Sequence, residues 1–112
     1  MCTQNEAFVI LQEVYEGCNR IFGSVEDAYL YGSYARGDFH EESDVDILIT
    51  VEKPQSEISG RRKDIARLSG ELSLAHDITV SISVKTAEQF ERCVSFLPFY
   101  KNVVTEGIKY AG

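Results

Sequence analysis

Apolar residues Phe8, Leu11, Val14, Tyr15, Cys18, Ile21 and Phe22 recur at spacings of three and four, which predicts a helix over about residues 4–22. Thr3 followed by Glu6 forms a capping-box pattern at its start, and Gly23 stops it. Ala28 to Tyr31 reads as a short strand ended by Gly32, and Asp44 to Val51 as a longer one rich in Val and Ile, with a glycine- and acid-rich loop between them. Ile58, Ile65, Leu68, Leu72 and Ala75 return to helical spacing over residues 55–75, although Ser59-Gly60 weakens the first turn. From Asp77 to Val84 polar and apolar residues alternate without a break, the pattern of a third strand. Thr86 with Gln89 opens a helix running to about Leu97, and Pro98 starts a last one through Val103, Val104 and Ile108.

A period of two sorts each strand into faces. Val45, Ile47, Ile49 and Val51 share one face of the second strand, and Ile78, Val80, Ile82 and Val84 one face of the third; these need helices over them. The opposite face carries Asp44, Asp46 and Thr50 beside Asp77, Thr79, Ser81 and Ser83, so it is expected to stay at least partly open. The expected fold is α/β (α+β): a two-layer arrangement of a mixed sheet with helices packed on one face, in one domain spanning residues 1–112.

The chain has eighteen acidic and eleven basic residues, a formal charge of −7, which disfavours binding to bulk nucleic acid. Its longest apolar runs fall far short of the ~20 residues that cross a bilayer, and the N-terminus lacks the pattern of an export signal, so a soluble, cytoplasmic protein without membrane attachment is expected. Cys2, Cys18 and Cys93 are odd in number and share no ligand spacing, which favours reduced thiols over a disulfide framework or a zinc site.

One constellation carries chemistry. Gly32-Ser33 follows the first strand, and Asp44-Val45-Asp46 heads the second. Carboxylates two apart on a strand project from the same face, with Cα atoms ~6.6–6.8 Å apart, and repel each other unless a cation lies between them. Mg²⁺ is typically held by one or two carboxylates together with substrate phosphates. Gly32 allows close approach of the backbone to a phosphate, and Ser33 offers a hydroxyl and an N–H. The four residues together suit a metal–nucleotide site.

Gly32-Ser33-Tyr34-Ala35-Arg36-Gly37 with Ser43-Asp44-Val45-Asp46-Ile47-Leu48-Ile49 resembles the signature of the polymerase-beta-like nucleotidyltransferase superfamily, and in particular its minimal nucleotidyltransferases. Many of these are antitoxin partners of HEPN-domain ribonuclease toxins. The resemblance covers nearly the whole chain, but its specificity lies in residues 32–49. It implies transfer of a nucleoside monophosphate, AMP from Mg-ATP, to an acceptor hydroxyl, with a HEPN-type toxin as the acceptor. It further implies Asp44, Asp46 and Asp77 as catalytic and metal-binding carboxylates for two Mg²⁺ ions, and Gly32, Ser33 and Arg36 as nucleotide-binding residues. Convergence of these residues requires the first two strands to be antiparallel and the second and third parallel.

Alternatives remain beside this reading. Arg36 either contacts a phosphate or pairs with Asp38, Glu41 or Glu42. Asp77, behind His76, is either a strand residue or a helix-end residue. His40 and His76 read as solvated loop residues, and Phe96, Phe99, Tyr100 and Tyr110 as core or a partner surface. A chain this short leaves acceptor selection to a partner protein or to a second copy in a homo-oligomer. Competing functions are a non-catalytic module that binds nucleotide or toxin, and a transferase acting on a small molecule, as antibiotic-modifying nucleotidyltransferases do.

Overall fold

The computed structural model describes residues 2–111. Helix α1 (Gln4–Phe22) begins where Thr3 Oγ1 accepts the Glu6 amide at 3.1 Å and ends at Gly23 in the left-handed region, as the sequence predicts. The reciprocal half of the capping box is not made, because the Glu6 carboxylate turns to His76 instead. Strand β1 (Asp27–Tyr31) leads through the single turn α2 (Ser33–Arg36) and a loop into β2 (Val45–Val51). The helical stretch after Pro54 is split at Arg61 into α3 (Gln55–Gly60) and α4 (Arg62–His76), just beyond the Ser59-Gly60 weak point. Strand β3 (Val80–Thr86), α5 (Ala87–Cys93), α6 (Pro98–Glu106) and the two-residue β4 (Ile108–Lys109) complete the chain.

The sheet has the order β3-β2-β1-β4. β1 runs antiparallel to β2 and β4, and β2 runs parallel to β3, so the mixed pairing expected for a convergent site is present. Ala28, Leu30, Val45, Ile47, Ile49, Val51 and Val80 pack under α1, α3 and α4 in the main core. Each fully buried Val, Leu or Ile there contributes ~1.5–3 kcal/mol of transfer free energy. α1 and α4 approach closely at Gly17, where a Cβ would lie 2.6 Å from Leu68 Cδ2.

The other sheet face is not wholly open. Tyr29 and Leu48 lie under α5 and α6 with Phe90, Cys93, Tyr100 and Val103 in a second, smaller core. Helices therefore cover both faces at that level, while the end of the sheet around Asp46 is left less covered.

Three expected boundaries are corrected, one of them the end of α5, which stops at Cys93, short of Leu97. The third strand starts at Val80, not at Asp77. The amides of Asp77 and Ile78 bond back to the Ser73 carbonyl, and that of Val80 to the Ser73 hydroxyl at 2.9 Å, which ties Asp77 and Ile78 to the end of α4, while the Thr79 carbonyl accepts the Val45 amide at 2.9 Å. The last helix stops at Glu106, where Gly107 turns extended and Ile108 joins β4 beside β1. Cys2, Cys18 and Cys93 are all free and buried, and burial pushes the Cys18 thiol up to about 12, so it behaves as a small apolar side chain.

Candidate active site

Gly32 ends β1 with φ 77° and ψ −156°, a combination open essentially to glycine alone. Its carbonyl accepts the amides of Ala35 and Arg36, each at 3.1 Å, which starts α2. Having no side chain, it leaves the first-turn amides of α2 without a side-chain cap, next to the half-buried Ser33.

α2 is held in place by Tyr34, a residue the sequence reading passed over. Its ring is fully buried and stacks on Phe39 at 4.3 Å; its hydroxyl donates to the Cys2 carbonyl, and its own carbonyl accepts from Gln4 Nε2 at 2.8 Å. The start of α1 thus fixes the turn that carries Ser33.

Between α2 and β2 the loop is closed by a reciprocal link. The Ser43 amide donates to the His40 carbonyl at 3.0 Å, and the His40 amide donates to Ser43 Oγ at 2.9 Å. Asp44 follows directly and is exposed; Asp46, two residues on, is half-buried on the face opposite the main core. Burial, followed by the Asp44 charge, raises the Asp46 pKa above the ordinary carboxylate range, and Arg36 pulls it down. Two carboxylates with this mutual repulsion, one on an open rim and one half-buried, fit a hard divalent cation that also takes phosphate oxygens.

The register identifies the neighbours of Asp46. It lies opposite Tyr31 on β1 and level with Ser81 on β3. The Tyr31 phenol has its pKa raised, chiefly by burial and also by the Asp46 charge, with Ser83 opposing. The period of two puts Ser81 and Ser83 on the same face as Asp46, but only strand pairing sets Ser81 level with it and Tyr31 opposite it.

Asp77 is not brought into this group. It is the exposed C-cap of α4, in the left-handed conformation at φ 53°, ψ 45°, which Asp tolerates better than most residues. Since β3 begins three residues later, Asp77 does not share the strand face as expected, and Ser81 holds the position level with Asp46. Among the described residues no cluster of three His, Cys, Asp or Glu side chains is placed to hold a metal ion. The donor set on the strands is therefore the Asp44–Asp46 pair.

Arg36 takes the pairing alternative, with Nε 3.1 Å from Asp38 and a guanidinium nitrogen 3.6 Å from Glu106. Glu106, distant in sequence, replaces the expected Glu41 or Glu42. His76 is no solvated loop residue: its ring is 16% exposed and sits between Glu6 at 3.2 Å and Glu13 at 2.7 Å, joining α4 to α1. A hollow of ≈ 680 Å³ lies at the far end of β2 and β3 between Val51, Pro54 and Gln89, ~20 Å of strand away from Asp44.

Comparison with known proteins agrees with this geometry. A model of the nucleotidyltransferase domain matches residues 11–110. "Putative protein adenylyltransferase MJ0604" of Methanocaldococcus jannaschii is 31% identical over 103 residues, covering 92% of this chain and 95% of the relative. "Putative protein adenylyltransferase MJ0141" of the same organism is 38% identical over 77 residues, covering 68% and 76%. Among solved structures, a mutant of the toxin–antitoxin complex MntA–HpeT aligns with a TM-score of 0.55 at 19% identity, over 88% of this chain and 69% of that one. A nucleotidyltransferase structure from Sulfolobus solfataricus aligns at 0.53 and 21% identity, over 96% and 85%. At these identities the structural matches speak for the fold, while the family model and the curated relatives speak for descent. Among the described residues no helix is long and apolar enough to cross a membrane. The chain belongs to the nucleotidyltransferase domain family, as a minimal nucleotidyltransferase.

Proposed function

We propose that this enzyme transfers AMP from Mg-ATP to a hydroxyl of a protein acceptor, and that the acceptor is a HEPN-type toxin restrained by the modification. The observation that carries the transfer site is the Asp46 carboxylate set against Gly32, with the Asp44 charge two residues before it. Both curated relatives are named protein adenylyltransferases, and one structural neighbour is a toxin–antitoxin complex, which supports a protein acceptor. The −7 charge supports the same choice over a nucleic acid.

In this reading the Ser33 and Tyr34 amides and the Ser33 hydroxyl hold the outer phosphates, and Arg36 is released from its exposed pairs with Asp38 and Glu106 to meet them. Asp44 and Asp46 hold Mg²⁺. The ion, when bound, neutralises phosphate charge and polarises the α-phosphoryl group. The donor set fits one such ion; the second, expected with Asp77, has no strand-borne third carboxylate here, and Ser81 stands in that place. The acceptor oxygen forms a bond to the α-phosphorus as the bond to the β-phosphate bridge breaks, and pyrophosphate leaves. The hydroxyl proton passes to solvent. Alignment and electrostatic stabilisation supply the rate.

Co-expression with the product of the neighbouring gene, followed by intact-mass measurement, tests the acceptor. An addition of about 329 Da on that partner, the mass of a transferred AMP group, is expected. An unmodified partner together with labelled RNA under the same conditions overturns it.

A further inference from the structure

Beside the paired carboxylates, and sharing Gly32 with them, is a hollow of ≈ 180 Å³ between β1, α2 and α6. It is smaller than the ~300–1,000 Å³ pockets that enclose a whole drug-sized ligand. It suits a flat ring attached to something held next door.

Its lining is specific. Phe99 is 42% exposed, yet it is held by edge contacts with Tyr31 and Tyr100, each at a centroid distance of 5.4 Å. It is therefore a pre-set face for stacking, with little rotamer freedom left to lose. On the same helix Asn102 offers both a donor and an acceptor, and Glu106 offers acceptors only. Arg36, the other charged side chain of the lining, holds Glu106 at 3.6 Å; once Arg36 turns to the triphosphate on the Ser33 side of Gly32, the Glu106 carboxylate is left facing the hollow. It accepts readily from an amino group.

We propose that this hollow is the nucleobase subsite, and that it selects a base with adenine's edge. Phe99 stacks on the ring, Asn102 pairs with the exocyclic amine and adjacent ring nitrogen as Asn does with adenine elsewhere, and Glu106 accepts from the amine. This rests on the reading of Gly32, Ser33, Asp44 and Asp46 as the triphosphate site.

Titration calorimetry of the whole chain with Mg²⁺ and, in turn, ATP, inosine triphosphate, UTP and inorganic tripolyphosphate separates the two claims. ATP should bind about tenfold more tightly than the inosine and uridine nucleotides, and more tightly than tripolyphosphate. Phe99→Ala should weaken ATP about tenfold and leave tripolyphosphate unchanged; Asn102→Ala, at an exposed position that folding does not depend on, should narrow the gap between ATP and inosine triphosphate. Equal affinity for ATP and tripolyphosphate, or a Phe99→Ala variant that weakens both alike, overturns the subsite and leaves the triphosphate site standing. An effect of Phe99→Ala confined to the KM for the protein acceptor assigns the hollow to the acceptor and also overturns it. Failure of both ATP and tripolyphosphate to bind removes the triphosphate site, and the subsite with it.

Discussion

The Asp46 carboxylate occupies the space where a side chain at residue 32 would begin: a Cβ on Gly32 would lie 2.6 Å from Asp46 Oδ2. The end of β1 and the start of β2 are thereby pressed together by the chemistry of one glycine and one acid, and the phosphate-approach turn and the metal-binding carboxylate are a single packing unit. Gly32→Ala should therefore displace the carboxylate as well as strain the backbone at φ 77°. The expected cost in stability is about 1–3 kcal/mol, read by denaturant unfolding, with transfer falling further than the unfolded fraction explains. Wild-type transfer by the variant would show that the contact has no functional weight.

Asp46→Asn should behave in the opposite way toward stability. The half-buried carboxylate is repelled by Asp44, so neutralising it removes an unfavourable charge and no core packing. Thermal unfolding without metal should show a Tm at or above that of the wild type, while transfer is nearly abolished. A large fall in Tm would mean that Asp46 is a structural residue.

Mg-ATP should stabilise the wild type by mass action, about 2.7 kcal/mol at a hundredfold excess over Kd, and Asp46→Asn much less. Differential scanning fluorimetry reads both. Equal shifts in the two proteins would place the nucleotide elsewhere.

His76 supplies a pH dependence away from the site. Burial alone lowers its pKa, but the hydrogen bonds and charges of Glu13 and Glu6 outweigh it, so the folded-state pKa is raised. The stabilisation is fully present below the unfolded value of ~6.5 and is lost as pH rises through the folded value. His76→Gln should cost about 1–2 kcal/mol at mildly acidic pH, toward the low end for charged hydrogen bonds because Glu6 and Glu13 are 38% and 40% exposed, and clearly less in alkaline buffer. A pH-independent cost would remove the ion pairs from the account.

What the sequence discloses and what it hides divide along the distance between interacting residues. Residues 32–49 are legible because Gly32, Ser33, Asp44 and Asp46 act through local geometry: a strand end, a turn and a strand start. Thr3 and Thr86 are legible as caps for the same reason, each accepting the amide three residues on. Their partners in the motif are not, since Glu6 turns to His76 and Gln89 to Tyr100. The alternation from Asp77 onward fits a strand equally well whether it begins at 77 or 80; the Ser73 bonds that decide the matter come from the preceding helix. The period of two puts Ser81 and Ser83 on the polar face, but only register sets Ser81 level with Asp46 and Tyr31 opposite it, and only the docking of α6 pairs Arg36 with Glu106. β4, two residues long, has no period to detect.

The most direct measurement of the central claim is to follow radiolabel placed at either the α- or the γ-phosphorus of ATP, in wild type and Asp46→Asn, with Mg²⁺ and the protein acceptor present. The account predicts that label from the α-phosphorus alone becomes covalently attached to the acceptor, that pyrophosphate is released in equal amount, and that Asp46→Asn loses both. Attachment of label from the γ-phosphorus, or undiminished attachment from the α-phosphorus in Asp46→Asn, would contradict it.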